Sequence, residues 1–277
     1  MMIAIPAAGR SPARLLSAFL LLFLAACGAR DKEVTRNPVP EVPGYGVLQD
    51  DVYTIPAVDP QYLVEPNRRA EVAYPADDKP GTIVVDPFAK FLFLVGEGGT
   101  ATRYPIAVGR EGRGFRSAAV VGDLREWPSW QPTANMLRSE PEVYGAFAGG
   151  IPGGVASPLG ARAIYLYRGG KDTRFRIHGT NDVQAIGNAG TAGCIRLFNQ
   201  DIIDLYARVS PGTKVRVRTY EESVQYEGEA VANRGVELPP RIVPPEEIYG
   251  AVAEQQAAAA LASPPVQTAP GVFTQIN

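Results

Sequence analysis

The stretch "IHGTNDVQAIGNAGTAGCIRL", residues 177–197, holds the only histidine of the chain, His178, and one of its two cysteines, Cys194. They lie sixteen positions apart among glycines. The thiolate is the reactive form of cysteine, and a nearby imidazole both takes the proton and stabilises the anion. His178 closes a predicted strand and Cys194 precedes a predicted helix. Residues 179–193 are rich in small and turn-forming positions, slack enough for a loop that brings the pair together. Gly193 lets a carbonyl substrate approach the backbone closely. The N–H groups of Gly193 and Cys194 could then stabilise an oxyanion, worth about 3 kcal/mol per donor. Two readings stand from spacing alone: a Cys–His acyl-transfer site, or a satisfied strand histidine and a small buried cysteine.

The elements that must position this pair are mostly β. The segments "TIVVD" (82–86), "FLFLV" (91–95), "RYPIAVG" (103–109), "AAVVG" (118–122), "RAIYLY" (162–167) and "RFRIH" (174–178) read as short strands, and "TKVRVRT" (213–219) alternates as a half-buried strand does. One helix is marked after the cysteine: Asn199 as its cap, Asp201 in the positive first turn, and Ile202, Leu205, Tyr206 and Val209 along one face, with "SPG" (210–212) as the stop. Residues 125–154, rich in proline, glycine and aromatics, form a loop long enough to serve as a lid or a substrate wall.

The flanks are of different composition. Arg10 and Arg14 precede an apolar run at 15–26, about half of what a bilayer-spanning helix needs, as in a secretory signal. The run ends in "LAAC" (24–27), which resembles a bacterial lipobox. That resemblance implies cleavage before Cys27, lipid on its sulfur and a membrane anchor; ordinary cleavage near the same point would leave a free thiol. Gly28 in place of an aspartate leans towards the outer membrane. Residues 27–46 read as a proline-spaced tether, and 47–80 as an irregular segment lying across the domain through Ile55, Tyr62, Val72 and Tyr74. Residues 81–219 carry the domain. Residues 220–277, with proline pairs and an alanine run, read as a low-complexity, mobile tail with a short helix near 246–262.

The hydrophobic share is 45%, the charged share 20% and the net charge −2. No basic excess points to nucleic acid. With one histidine and no CxxC pair, no metal site is expected. No phosphate-binding or dinucleotide glycine fingerprint appears, and no cofactor is expected.

The region around Cys194 resembles the signature of L,D-transpeptidases of the YkuD type. The match lies in "HGT" (178–180), "IG" (186–187), Thr191 three before the cysteine, "GCIRL" (193–197), Asn199 and "DLY" (204–206). It extends back through "PLGARAIYL" (158–166), "EWPSWQPT" (126–133) and "GTIVVD" (81–86). The resemblance implies a mainly β, compact mixed-sheet sandwich with one helix after the cysteine. It implies acyl transfer from peptidoglycan tetrapeptide stems: Cys194 attacks the third residue's carbonyl, and His178 serves as base and acid. Arg196, Thr191 and Gly179 are then expected at the substrate, Arg196 by holding a carboxylate or the loop itself. The acceptor is a second stem, a wall-attached protein, or water in an L,D-carboxypeptidase. Ala192 stands where many members carry a second histidine, so proton transfer falls to His178 alone. Gly179 follows His178, so from that position only a backbone carbonyl can orient the imidazole. The compartment implied is the periplasm. The rival from another class is a non-catalytic peptidoglycan-binding lipoprotein. A papain-like peptidase would place its cysteine before the histidine.

Overall fold

The structure, a computed structural model, describes residues 42–109, 118–189, 194–251 and 253, all within the unit Pro38–Asn277. The expected signal, Cys27, most of the tether, Thr191, Ala192, Gly193 and the last part of the tail lie outside the described residues.

The elements run β1 (Leu48–Asp50), β2 (Tyr53–Ile55), β3 (Ala70–Ala73), β4 (Ile83–Asp86), β5 (Phe91–Val95), β6 (Thr100–Pro105), β7 (Ala107–Val108), β8 (Ala119–Glu126), α1 (Ala134–Ser139), α2 (Pro141–Tyr144), β9 (Arg162–Arg168), β10 (Lys171–His178), β11 (Ile195–Arg196), α3 (Asn199–Ala207), β12 (Lys214–Val217), α4 (Tyr220–Glu227) and α5 (Glu229–Ala232). β1 and β2 form a hairpin, and the other strands form one mixed sheet of ten in the order β3-β6-β5-β4-β12-β8-β9-β10-β11-β7. Only β4–β12 and β10–β11 pair in parallel.

The sheet folds over one core. Ile83 and Val85 of β4, Leu92 and Leu94 of β5, and Tyr104 of β6 share a cluster with Ile177, Ile195 and Leu197 from its other end, closed by Ile202 and Leu205 of α3. The opposite face of β4–β6 is buried as well. Val84, Phe91, Phe93, Val95 and Ala101 pack with Tyr74, and Val231 of α5 lies against them. Burial on both faces is why β4 and β5 read as unbroken apolar runs.

Three expectations change. Asn199 does not cap α3: the cap position belongs to Phe198, without a side-chain hydrogen bond. The Asn199 amide is engaged elsewhere, as described below. The low-complexity tail is folded for its first thirty residues. Thr219 and Glu222 form a reciprocal capping box that starts α4. Leu238 N–H donates to Ala189 O at 2.8 Å, and Val243 and Ile248 are buried with Val155. The tail lacks a long apolar face because it packs through single anchors. The packed region also begins before residue 47, since Tyr45 is buried against Phe198.

The long segment between β8 and β9 is tied into a compact unit. Thr133 Oγ1 caps α1 by accepting from Met136 N–H, and a bridge between Trp130 and Ile151 joins its two ends. Gly153 is required there: a Cβ would lie 1.9 Å from the Trp127 carbonyl oxygen.

Candidate active site

β10 and β11 bring the histidine and cysteine together. Ile177 pairs with Ile195 and His178 with Arg196, and Leu197 N–H donates to His178 O at 2.9 Å. A parallel pair cannot be closed by a tight hairpin and needs a crossover. That requirement accounts for the sixteen-residue spacing. Partners in register share a face, and side chains alternate along a strand. Ile177 and Ile195 therefore enter the core, whereas His178 and Arg196 project from the other face, and Cys194 stands in the bend just before β11.

The imidazole is 5% exposed, and its Nδ1 lies 2.6 Å from the Gly179 carbonyl oxygen. With Nδ1–H donating there, Nε2 carries the lone pair that can accept a thiol proton. Burial, then the positive fields of Arg196 and Arg176, push the His178 pKa down to about 3, opposed by the Gly179 carbonyl. The ring is neutral at physiological pH, the state a base requires.

Gly179 has no room for a side chain. A Cβ there would sit 2.2 Å from Asn199 Oδ1 and 3.0 Å from Ile202 Cγ2. Asn199 Oδ1 accepts from Ala161 N–H at 2.9 Å, and its Nδ2 donates to Thr180 O at 3.1 Å. This amide clamps the backbone on both sides of Gly179, whose carbonyl orients the imidazole. The structure thus gives Gly179 a packing and orienting part. The last residue of "HGT", Thr180, is bound to the first residue of α3.

Cys194 is half-buried. Its Sγ lies 3.8 Å from the Arg174 carbonyl oxygen, and its own carbonyl accepts from Gly109 N–H at 3.2 Å. Arg196 is 8% exposed, and its guanidinium meets Asp182 Oδ2 at 3.4 Å. Burial pulls the Arg196 pKa down, while Asp182, Tyr144 and Cys194 raise it. A thiolate at Cys194 would therefore face a fixed cation. The carboxylate-holding role expected of Arg196 meets a side chain already engaged by a buried aspartate. Arg241, from the segment expected to be a mobile tail, reaches the other oxygen of Asp182 at 3.7 Å. Tyr144, at the end of α2, is buried and near enough to Arg196 to act on its charge, which brings the long segment to this face.

Asp182, Asn199 as a clamp, Arg174 and Arg241 were not found from sequence. Each acts on a residue far away in the chain or through its backbone, and no spacing rule reports either. Among the described residues there is no group of three or more His, Cys, Asp or Glu able to hold a metal, and no helix long and apolar enough to cross a membrane.

Residues 80–217 match the L,D-transpeptidase catalytic domain family, YkuD. The chain is 37% identical over 122 residues to the Escherichia coli (strain K12) protein named "Probable L,D-transpeptidase YcfS", covering 43% of this chain and 37% of that protein. It is 33% identical over 140 residues to the ORF 5 protein of the ATP synthase subunits region of Fuscovulum blasticum, also named for an L,D-transpeptidase. That alignment covers 49% of this chain and 68% of the relative. A solved structure from Brucella melitensis, named as a probable carnitine operon oxidoreductase, is 46% identical over 54% of this chain and 93% of its own, with a TM-score of 0.39. The chain belongs to the L,D-transpeptidase family of the YkuD type. It spans 37% to 53% of the length of the Escherichia coli relatives YcfS and ErfK/SrfK.

Proposed function

We propose that this protein is a periplasmic cysteine L,D-transpeptidase that acts on tetrapeptide stems of peptidoglycan, held at a membrane by lipid on Cys27. The observation that carries the chemistry is the parallel register of β10 and β11. It supports the reading by bringing the chain that follows Cys194 alongside His178, whose imidazole is neutral, with Nδ1 held by Gly179 O and Nε2 left to accept.

His178 Nε2 takes the thiol proton as Sγ attacks the carbonyl carbon of the third stem residue. The tetrahedral oxyanion forms beside the backbone N–H of Cys194. Its collapse breaks the C–N bond, His178 returns the proton to the departing amine, and D-alanine leaves. An amine of a second stem, or of a wall-attached protein, then attacks the thioester. His178 takes the amine proton and passes it to the sulfur as the S–C bond breaks. Arg196 remains on Asp182 throughout and supplies positive potential at the sulfur. Its engagement supports an electrostatic part at this site more than a substrate contact.

The decisive experiment is intact-mass spectrometry of the protein incubated with a disaccharide-tetrapeptide. A covalent adduct equal to the stem minus D-alanine is expected, on Cys194 and absent in Cys194→Ala. A reduced, folded protein that forms no adduct with the tetrapeptide or a carbapenem would overturn the enzyme reading and leave a wall-binding lipoprotein. The anchor is tested separately. Cys27→Ser should release the protein from the membrane fraction, and sedimentation with membranes after high-salt washes would refute lipid attachment.

A further inference from the structure

The backbone of β10 breaks register between Asp172 and Arg176, and within that bulge Arg174 adopts φ +65°. An L-residue pays about 1–2 kcal/mol in the left-handed region, and such strain is found where the surroundings impose it for a purpose. The bulge has two local results. It turns the Arg174 carbonyl onto Cys194 Sγ at 3.8 Å. It also leaves the Arg174 side chain exposed.

The arginines of β10 and its neighbouring strands are not equally available. Arg196 is buried on Asp182. Arg176 donates to both oxygens of Asp172 at 2.7 and 2.8 Å and stacks on Tyr165 at 4.0 Å. Arg125, on the other side of Tyr165, is paired with Asp123 at 2.8 Å. Arg174 gives Asp172 its backbone N–H, at 2.7 Å, and its charge acts on that carboxylate, yet among the described residues its guanidinium makes no ion pair within 4 Å. It is thus an exposed cation, on the residue whose carbonyl meets the thiol, that remains open to an incoming anion. A guanidinium fork suits a carboxylate.

We propose that Arg174 binds the C-terminal carboxylate of the donor peptide, the group one residue beyond the carbonyl that Cys194 attacks. This rests on the transpeptidase reading above, and it gives that site a specificity residue distinct from Arg196.

The test uses the whole mature protein with Arg174→Asn and Arg174→Gly, since asparagine and glycine both accept positive φ and remove only the charged side chain. Arg174→Lys serves as the charge-retaining control. Alkylation of Cys194, followed by peptide mass spectrometry, is compared for iodoacetate and iodoacetamide. The iodoacetate-to-iodoacetamide rate ratio should fall about threefold in the Asn and Gly variants, as expected for one exposed charge near a sulfur, and stay near wild type in the Lys variant. For tetrapeptide donors ending in carboxylate or carboxamide, the wild type should favour the carboxylate about tenfold in kcat/KM. The Asn variant should show almost no preference. Unchanged ratios in both neutral variants would overturn the assignment. If the wild type forms no thioester but the alkylation ratio responds, the carboxylate site stands and the transpeptidase reading falls.

Discussion

Replacing Asn199 by alanine deletes the two hydrogen bonds that fasten the start of α3 to the backbone on either side of Gly179. The groups left behind are the N–H of Ala161, fully buried, and the carbonyl of Thr180, 1% exposed. An orphaned buried backbone group costs about 1–3 kcal/mol, so two at about 1.5 kcal/mol each give roughly 3 kcal/mol. The space is tight, since a Cβ at Gly160 or Gly179 would lie 2.2 Å from the amide oxygen. A water entering the gap left by the amide would bridge both groups and bring the loss to about 2 kcal/mol. Urea unfolding should show a lower midpoint at unchanged m-value, and a thermal midpoint lower by roughly 5–10 °C for a domain of this size. Asn199→Asp keeps an acceptor for Ala161 but sets a carboxylate oxygen against the Thr180 carbonyl, so it should lose at least as much. An alanine variant within about 1 kcal/mol of wild type would show that the clamp contributes little and that Gly179 is held by other means.

Further outcomes follow from the same geometry. The acid limb of kcat/KM for acylation should lie far below the ordinary histidine range, towards pH 3, because the buried imidazole stays neutral; a limb centred at 6–7 would refute that state. Stability should respond to pH with opposite signs at two buried groups. The lowered pKa of His178 gives stability that is present above about pH 6.5 and lost as pH falls towards 3. Burial raises Asp201 to about 7, so its contribution is present below about pH 4 and lost as pH rises through 7. Each is worth up to about 4 kcal/mol, and they offset between pH 4 and 6.5. Asp201→Asn should therefore gain on wild type as pH rises from 4 to 8, and urea titrations showing a constant difference would contradict it. Gly179→Ala should fail to fold or lose acylation by at least about a hundredfold, because its Cβ must displace Asn199. A pentapeptide donor should be used less well than a tetrapeptide, since its extra residue moves the terminal carboxylate away from Arg174; equal kcat/KM would argue against a fixed carboxylate site.

The strands were legible in sequence because burial on one or both faces leaves an alternating or unbroken apolar pattern, as at Val215 or Phe91–Val95. His178 and Cys194 stood out in sequence because histidine and cysteine are rare here and are set in a glycine-rich frame. The cap expected at Asn199 is absent, since local helix rules cannot see that Ala161 and Thr180 compete for its amide. α4 carried a capping box at Thr219–Glu222 that composition alone concealed. Sequence could limit the group orienting His178 from the next position to a backbone carbonyl. Only the fold decided that this carbonyl does so, that Asp182 occupies Arg196, and that a bulge in β10 turns the Arg174 carbonyl onto the thiol. Residue types and short spacings follow from chain chemistry and local periodicity. The pairing of charges and the exposure of a side chain depend on which distant segments pack around it, and for this site those segments come from α3, the 179–189 loop and the C-terminal strap.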